Sequence, residues 1–352
     1  MTDLNCPAKQ IWVDPPSLGP VKERCIHLPP KDLRVSIGTA IVLSLMEGMQ
    51  VHPPTTAYIM FGERCVNNCS FCAQAADMSE RGDMLSRVIW PPFRYDEVLS
   101  ALSSAKERGM GRLCLQCLTD PVHLRMLPEV VRDLREASGL PVSLSLPPTD
   151  RPLLQSLKET GADRVGIALD AATEALFDRN KGGGVGNACT WQSAWSALGT
   201  AVDIFGERKV TTHLIIGLGE TDREAVALMT ECRSRGIVLS LFAYTRIKGR
   251  KDAGRPPTSG RYRALQIARH LVFEEAVTEE FHFDVNGKLV GLPEGHRELQ
   301  EGPFDIFSTK GCPDCNRPYY NERPGGTIYN HPHPLSREEH GICYKEALLY
   351  VR

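Results

Sequence analysis

Between residues 55 and 285, short apolar runs alternate with longer runs whose apolar positions recur every three or four residues. TTAYIMF (55–61), RLCLQCL (112–118), PVSLSL (141–146), RVGIAL (164–169), KVTTHLIIGL (209–218) and IVLSLFAY (237–244) read as strands. Their near-continuous apolar character suits strands covered on both faces. The runs YDEVLSALSSAKERG, LPEVVRDLREASG, RPLLQSLKETG, TWQSAWSALGTAVDIFG, DREAVALMTECRSRG and GRYRALQIARHLVFEEA carry the helical period, and several end on glycine. Six such strand–helix units predict an α/β fold with a parallel sheet under a layer of helices. Six rather than eight units imply a partial (β/α)6 TIM-type barrel.

The flanks differ from this repeat. Residues 1–54 contain prolines, the apolar stretch SIGTAIVLSLMEGM and the loop VHPP, which predict a helical lead-in. From 286 to 352 the chain turns rich in Pro, Gly, Asn and Tyr, as in FSTKGCPDCNRPYYNERPGGTIYNHPHPL. That stretch has no helical period and predicts an irregular tail held by something other than an apolar core. The expected regions are therefore 1–54, 55–285 and 286–352.

Composition narrows the class. The chain has 352 residues, 42% hydrophobic and 24% charged, with a formal net charge of −2. Such a balance gives no bulk attraction to nucleic acid or to a membrane surface. No run approaches the ~18 apolar residues of a spanning helix. The N-terminal MTDLNCPAKQIW lacks the basic-then-apolar pattern of a secretory signal, so a cytoplasmic location is expected. The 12 cysteines then point to metal or redox chemistry rather than to disulfides.

Three of those cysteines, Cys65, Cys69 and Cys72, fall within FGERCVNNCSFCAQ, directly after the first strand. Active sites of α/β barrels lie at that end of the strands. Three thiolates are one short of a closed tetrahedral set. Iron–sulfur clusters are held by cysteine thiolates, usually four, so three leave one iron open. A structural zinc site is the alternative, but no second pair of cysteines lies nearby in the sequence. Cys114 and Cys117, three apart on one strand, point to opposite faces and read as small core residues. Cys312 and Cys315 form a second metal-binding half-site in the tail.

The segment CVNNCSFC, between a strand and the helix YDEVLSAL, resembles the signature of radical S-adenosylmethionine (SAM) enzymes. The resemblance covers roughly residues 55–285. It implies that Cys65, Cys69 and Cys72 ligate a [4Fe–4S] cluster whose open iron chelates SAM, and that reductive cleavage yields a 5′-deoxyadenosyl radical. Phe71 would pack near the adenine, and Gly217 and Gly219 of GLGET (217–221) would line it; Thr221 reads equally as a helix cap. Gln116 corresponds to a contact with the SAM amino group, although LCLQCLTD departs from the family's usual Gly-Gly-Glu. Ser143, Ser145 and Asp170 correspond to ribose or methionine contacts, with Asp170 alternatively capping the helix that begins TEALF. Arg246 is a candidate for the SAM carboxylate or a surface charge.

Taken with CPDCNRPYYNERPGGTIYN, the chain resembles biotin-synthase-like radical SAM proteins, and most of all subunits of two-protein lipoyl synthases. This implies an auxiliary [4Fe–4S] cluster at Cys312 and Cys315, completed by Cys343, Cys25, Cys6 or an oxygen donor such as Ser308. A zinc knuckle is the alternative occupant. The implied reaction is sulfur insertion into a protein-bound octanoyl chain. Its implied partners are an octanoylated carrier, a paralogous subunit and a reductant protein, with neither nucleic acid nor membrane. A radical SAM carbon-skeleton or methylation enzyme with an electron-relay cluster, or a non-catalytic metal-binding subunit, would share the same motifs.

Overall fold

The computed structural model describes residues 30–78, 83–250, 253–322 and 325–352. Cys6 and Cys25 lie outside them. Eight strands form one sheet: β1 (Asp32–Val35), β2 (Thr56–Phe61), β3 (Pro92–Arg94), β4 (Arg112–Cys117), β5 (Val142–Leu146), β6 (Ala162–Ile167), β7 (Val210–Ile216) and β8 (Ile237–Ala243). Their spatial order is β8-β7-β6-β5-β4-β2-β1-β3. The six strands expected from the sequence are the parallel ones. β1 and β3 add an antiparallel edge beside β2, an addition the alternating pattern does not carry.

The α-helices of six residues or more are α1 (Ile37–Val42), α2 (Tyr95–Leu102), α3 (Leu127–Ser138), α4 (Arg151–Glu159), α5 (Glu174–Lys181), α6 (Trp191–Phe205), α7 (Asp222–Ser234), α8 (Ser259–Phe273) and α9 (Arg337–Val351). Their starts follow local chemistry. Asp150 accepts from Leu153 N at 3.1 Å, with proline in the first turn of α4. Thr221 caps α7 in a reciprocal box with Glu224. Of the lead-in, only the six residues of α1 are helical among those described.

Strand periodicity divides the side chains into two layers. Ala57, Ile59 and Phe61 of β2 and Leu113 and Leu115 of β4 pack outward against buried residues of α3 and α4 such as Leu134 and Leu157. Tyr58, Met60 and Cys114 face inward, in a cluster with Trp90 and Leu118. Tyr58, Cys114 and Ser143 are in register across β2, β4 and β5. One small cavity touches Thr56 of β2 as well as Ser240 of β8. The parallel sheet therefore curls until its two ends share one interior.

The tail is held by more than a metal-binding motif. Ile306, Phe307 and Leu335 pack with Ile267 of α8 and Ala347 of α9 in a second apolar core. The buried Glu322 carboxylate accepts from the backbone N–H groups of Asn321 (2.9 Å), Tyr329 (3.2 Å) and Asn330 (3.1 Å). Asn330 Nδ2 donates to Leu241 O of β8 at 3.1 Å. Residues 311–316 close the N-terminal end of the barrel. There Thr55 and Thr56 donate to Asp314 O at 2.6 and 2.7 Å, and Arg112 Nε to Pro313 O at 3.0 Å. Gly311 has φ +153°, and a Cβ there would stand 2.6 Å from Ser240 Oγ, so only glycine lets the tail approach β8 so closely.

Candidate functional site

The cysteine loop lies over the C-terminal ends of the strands. Cys65, Cys69 and Cys72 line one cavity together with Phe71, Gln116, Ser145 and Asp170. The loop takes its shape from distant partners. Arg250 donates to Asn68 O (3.1 Å), Cys69 O (2.8 Å) and Ser70 O (3.3 Å), and pairs with Asp77. Asn187 accepts from Asn68 N at 2.7 Å and directs its amide nitrogen at Cys69 Sγ, 3.7 Å away. Asn180 accepts from the Ser70 hydroxyl at 2.8 Å.

Burial pushes the Cys69 thiol well up, opposed by Lys181 and reinforced by Cys72, Asp170 and Cys65. Burial likewise raises Cys72 to about 11, with the Gln74 N–H opposing. Lys181 Nζ lies 2.6 Å from Asp170 Oδ2 in the wall of this cavity. Burial works against its charge, but Asp170 and then Cys69 hold its pKa above the ordinary value. Thiols raised in this way give up their protons when a thiophilic cation takes their place. Among the described residues, no three His, Cys, Asp or Glu side chains converge on a point that would hold a single metal ion. The three thiols line one cavity, and their number and type fit a [4Fe–4S] group held by Cys65, Cys69 and Cys72.

A second set of thiols stands lower in the same interior. Cys312 and Cys315, carried by the tail, line a small cavity with Cys114 of β4 and Arg317. The Tyr58 hydroxyl lies 3.5 Å from Cys315 Sγ and accepts from Arg317 N at 2.9 Å. Burial raises the Cys114 thiol to about 12, opposed by Arg317 and reinforced by Cys312 and Cys315. Burial also raises Cys312, with Cys315 reinforcing and Ser143 and Arg112 opposing. Between the two sets stand Gln116, whose amide nitrogen is 2.9 Å from Cys114 Sγ, and His213. Burial, then the cations Arg317 and Lys181, keep His213 neutral, well below its ordinary pKa.

The radical SAM superfamily model matches residues 59–232, the span that holds the cysteine loop, β4 to β7 and α2 to α7. This span is a radical SAM domain. A biotin synthase of Acinetobacter calcoaceticus is 25% identical over 171 residues, covering 48% of this chain and 48% of its own. One from Paraburkholderia xenovorans (strain LB400) is 28% identical over 172 residues, 47% of this chain and 43% of its own. The chain thus spans about half the length of the curated relatives it matches. The FeFe-hydrogenase maturase HydG of Carboxydothermus hydrogenoformans shares the fold, with a TM-score of 0.51 at 13% identity over 62% of this chain and 51% of that one.

Within this radical SAM domain the residues singled out from the sequence part company. Cys65, Phe71, Gln116, Ser145 and Asp170 meet in one cavity with Cys69 and Cys72. Ser143 instead lies below it, accepting from Arg112 Nη1 at 3.0 Å. Gly217 and Gly219 stand outside the cavity wall. Gly217 has φ +112° and Arg255 O packs where its Cβ would be, while Glu220 accepts from Gly217 N at 2.8 Å. Arg246 is exposed beyond β8. Asp170 does not cap α5: Thr173 does, and Asp170 takes φ +65° with its carboxylate on Lys181.

Cys114 is buried in the inner cluster with Tyr58 and Met60, in line with its reading as a core residue, and it also lines the small cavity that holds Cys312 and Cys315. One reading of the cysteines is corrected. Cys343 is not brought to that pair. The apolar face of α9 packs on α8 and turns the Cys343 thiol toward His331 Nε2, 3.8 Å away. Sequence reasoning passed over Arg250, Asn187, Lys181, His213 and Arg317. The first four lie far along the chain with no local signature, whereas Arg317 sits two residues after Cys315.

Proposed function

We propose that the chain is a radical SAM sulfur-insertion enzyme of the lipoyl synthase type, acting on a protein-bound octanoyl chain alongside a paralogous subunit. The observation that carries this reading is a second cavity of about 790 Å³, a size common for ligand sites. Its walls include Ile37, Ile41, Val88, Ile89, Trp90 and Ile328. Met49 and Val51, almost fully exposed, add apolar surface to its lining. It shares Gln116, Arg317 and Tyr320 with the cysteine cavity, and it includes Tyr58, the neighbour of Cys315. A largely apolar cavity that shares wall residues with the cysteine cavity suits an alkyl chain, which offers neither an acidic proton nor a leaving group. The likeness to biotin synthases supports the same direction.

Cys65, Cys69 and Cys72 would hold the SAM-binding cluster, and Cys312 and Cys315 would help to hold an auxiliary one as the sulfur source. When bound, the first cluster and SAM supply a carbon radical able to take hydrogen from an unactivated C–H bond. The protein's part is positional. Arg250 and Asn187 fix the cysteine loop, Lys181 and Asp170 set an ion pair at its floor, and the apolar walls of the second cavity offer contact to an alkyl chain.

Anaerobic incubation of the reconstituted chain with octanoyl-lysine peptide, SAM, a reductant and the paralogous subunit tests the reading by mass spectrometry. Wild type should thiolate the peptide. The double variant Cys312→Ala/Cys315→Ala, checked for folding and SAM binding, should still yield 5′-deoxyadenosine but form no carbon–sulfur bond. A peptide left unthiolated by wild type, with the partner present, would sink the lipoyl reading. Thiolation by the folded double variant would rule out the tail as sulfur source.

A further inference from the structure

Cys114 is the one thiol contributed by a barrel strand to the lower cavity, and its partners there come from the tail. β4 fixes it between Tyr58 of β2 and Ser143 of β5, and its inward pleat leaves no choice of face. Across the cavity stand Cys312 and Cys315, three residues apart in a tight turn in which Cys315 N donates to Cys312 O at 3.3 Å. Three thiols from two separate chain segments thus face one enclosed space. Cations line it as well: Arg112, Lys310 and Arg317, with no carboxylate among the lining residues. Arg112 and Lys310 reach out to Asp163 and Asp305. Arg317 has no carboxylate partner among the described residues. It lies instead against the rings of Phe242 and Tyr320, 5.0 and 5.4 Å from their centroids.

Soft donors and an unmatched guanidinium around one closed space call for an occupant that is both thiophilic and anionic. An iron–sulfur cluster with thiolate ligands is such an occupant, because each thiolate and each bridging sulfide adds negative charge to the irons. A cation partly withdrawn from water is favoured by a nearby opposite charge, and here that charge would arrive with the cluster. We propose that Cys114, Cys312 and Cys315 together ligate a second iron–sulfur cluster, with Arg317 as its countercharge. The proposal rests on the auxiliary-cluster reading above and adds the ligand that ties the tail to the barrel. It places this cluster on the strand that also carries Gln116, two residues on, into the upper cysteine cavity. It also leaves Cys343 out of the ligand set.

The test uses the full chain with Cys65, Cys69 and Cys72 all changed to alanine, so that any iron retained after anaerobic reconstitution belongs to the lower site. Iron, acid-labile sulfide, the absorption spectrum and the electron paramagnetic resonance spectrum of the reduced protein are measured. This background should hold about four irons. Adding Cys114→Ala should reduce that to below about one, while Cys343→Ala should leave it unchanged. Circular dichroism must show the same fold in each. Cys114→Ser, which offers an oxygen ligand, should retain iron with altered resonance positions. Full iron content in Cys114→Ala, or iron lost in Cys343→Ala alone, would overturn the assignment and leave the sulfur-insertion reading intact. Zinc in place of iron would overturn both the cluster assignment and sulfur insertion. A background that binds neither metal would overturn both.

Discussion

Arg250 reaches back about 180 residues along the chain to hold three successive carbonyl oxygens of the cysteine loop. Its side chain is 8% exposed, so those bonds are largely shielded from competing water. Arg250→Ala leaves Asn68 O, Cys69 O and Ser70 O without this donor, a loss of about 1–3 kcal/mol in loop order. The loop cluster should then be retained poorly and 5′-deoxyadenosine formation should fall at least about tenfold. Arg250→Lys should recover only part, since an ammonium lacks the planar fork that spans several acceptors. An unchanged iron content in Arg250→Ala would contradict this. The cysteines were legible because their spacing is local. Arg250 was not, because nothing in RIKGRK distinguishes one cation from the next. The position of Asp170 at the cavity was legible, but not its pairing with Lys181, eleven residues on.

At the scale of elements, the alternation of apolar runs gave the six parallel strands because each is buried on both faces. The antiparallel edge strands are three or four residues long and offer no period to read. Helix α9 was hidden for another reason. Its buried positions, His340, Cys343, Tyr344, Ala347 and Val351, follow helical spacing, but most are small or polar types. The reciprocal cap of Ser336 and Glu339 was its visible signal. Two predictions belong to the tail. Glu322→Gln loses the acceptor for at least one of three buried backbone donors, so it should cost about 1–3 kcal/mol and lower Tm measurably. His331 is pushed down to about 4 by burial, then by Arg263 and His333. The unfolded chain binds its proton near 6.5, so between about pH 4 and 6.5 the unfolded state holds more protons. Stability from this group is present above that window and is lost as pH falls through it. The wild-type denaturant midpoint should therefore drop more than that of His331→Gln between pH 7.5 and pH 5, and equal drops would contradict this.

Across the whole molecule, the cysteine loop enters the barrel from the C-terminal ends of the strands and the tail cysteines from the N-terminal ends. The apolar cavity reaches the interior between them. This arrangement was only half legible, because the sequence shows two cysteine groups about 240 residues apart but not that they share one interior. Filling the apolar cavity should separate substrate entry from the radical site. Ile41→Trp should raise KM for octanoyl-lysine peptide about tenfold or more while SAM cleavage without peptide stays within about twofold. Equal loss of both would contradict a dedicated alkyl passage. The most direct measurement follows the sulfur itself. The chain is reconstituted with sulfide enriched in a heavy isotope, freed of excess sulfide, and given octanoyl-lysine peptide, SAM, reductant and the paralogous subunit. The account predicts that the heavy isotope appears in the thiolated peptide as labelled sulfide is lost from the protein. Accumulation of 5′-deoxyadenosine with the peptide unchanged, or a product carrying only unlabelled sulfur, would contradict it.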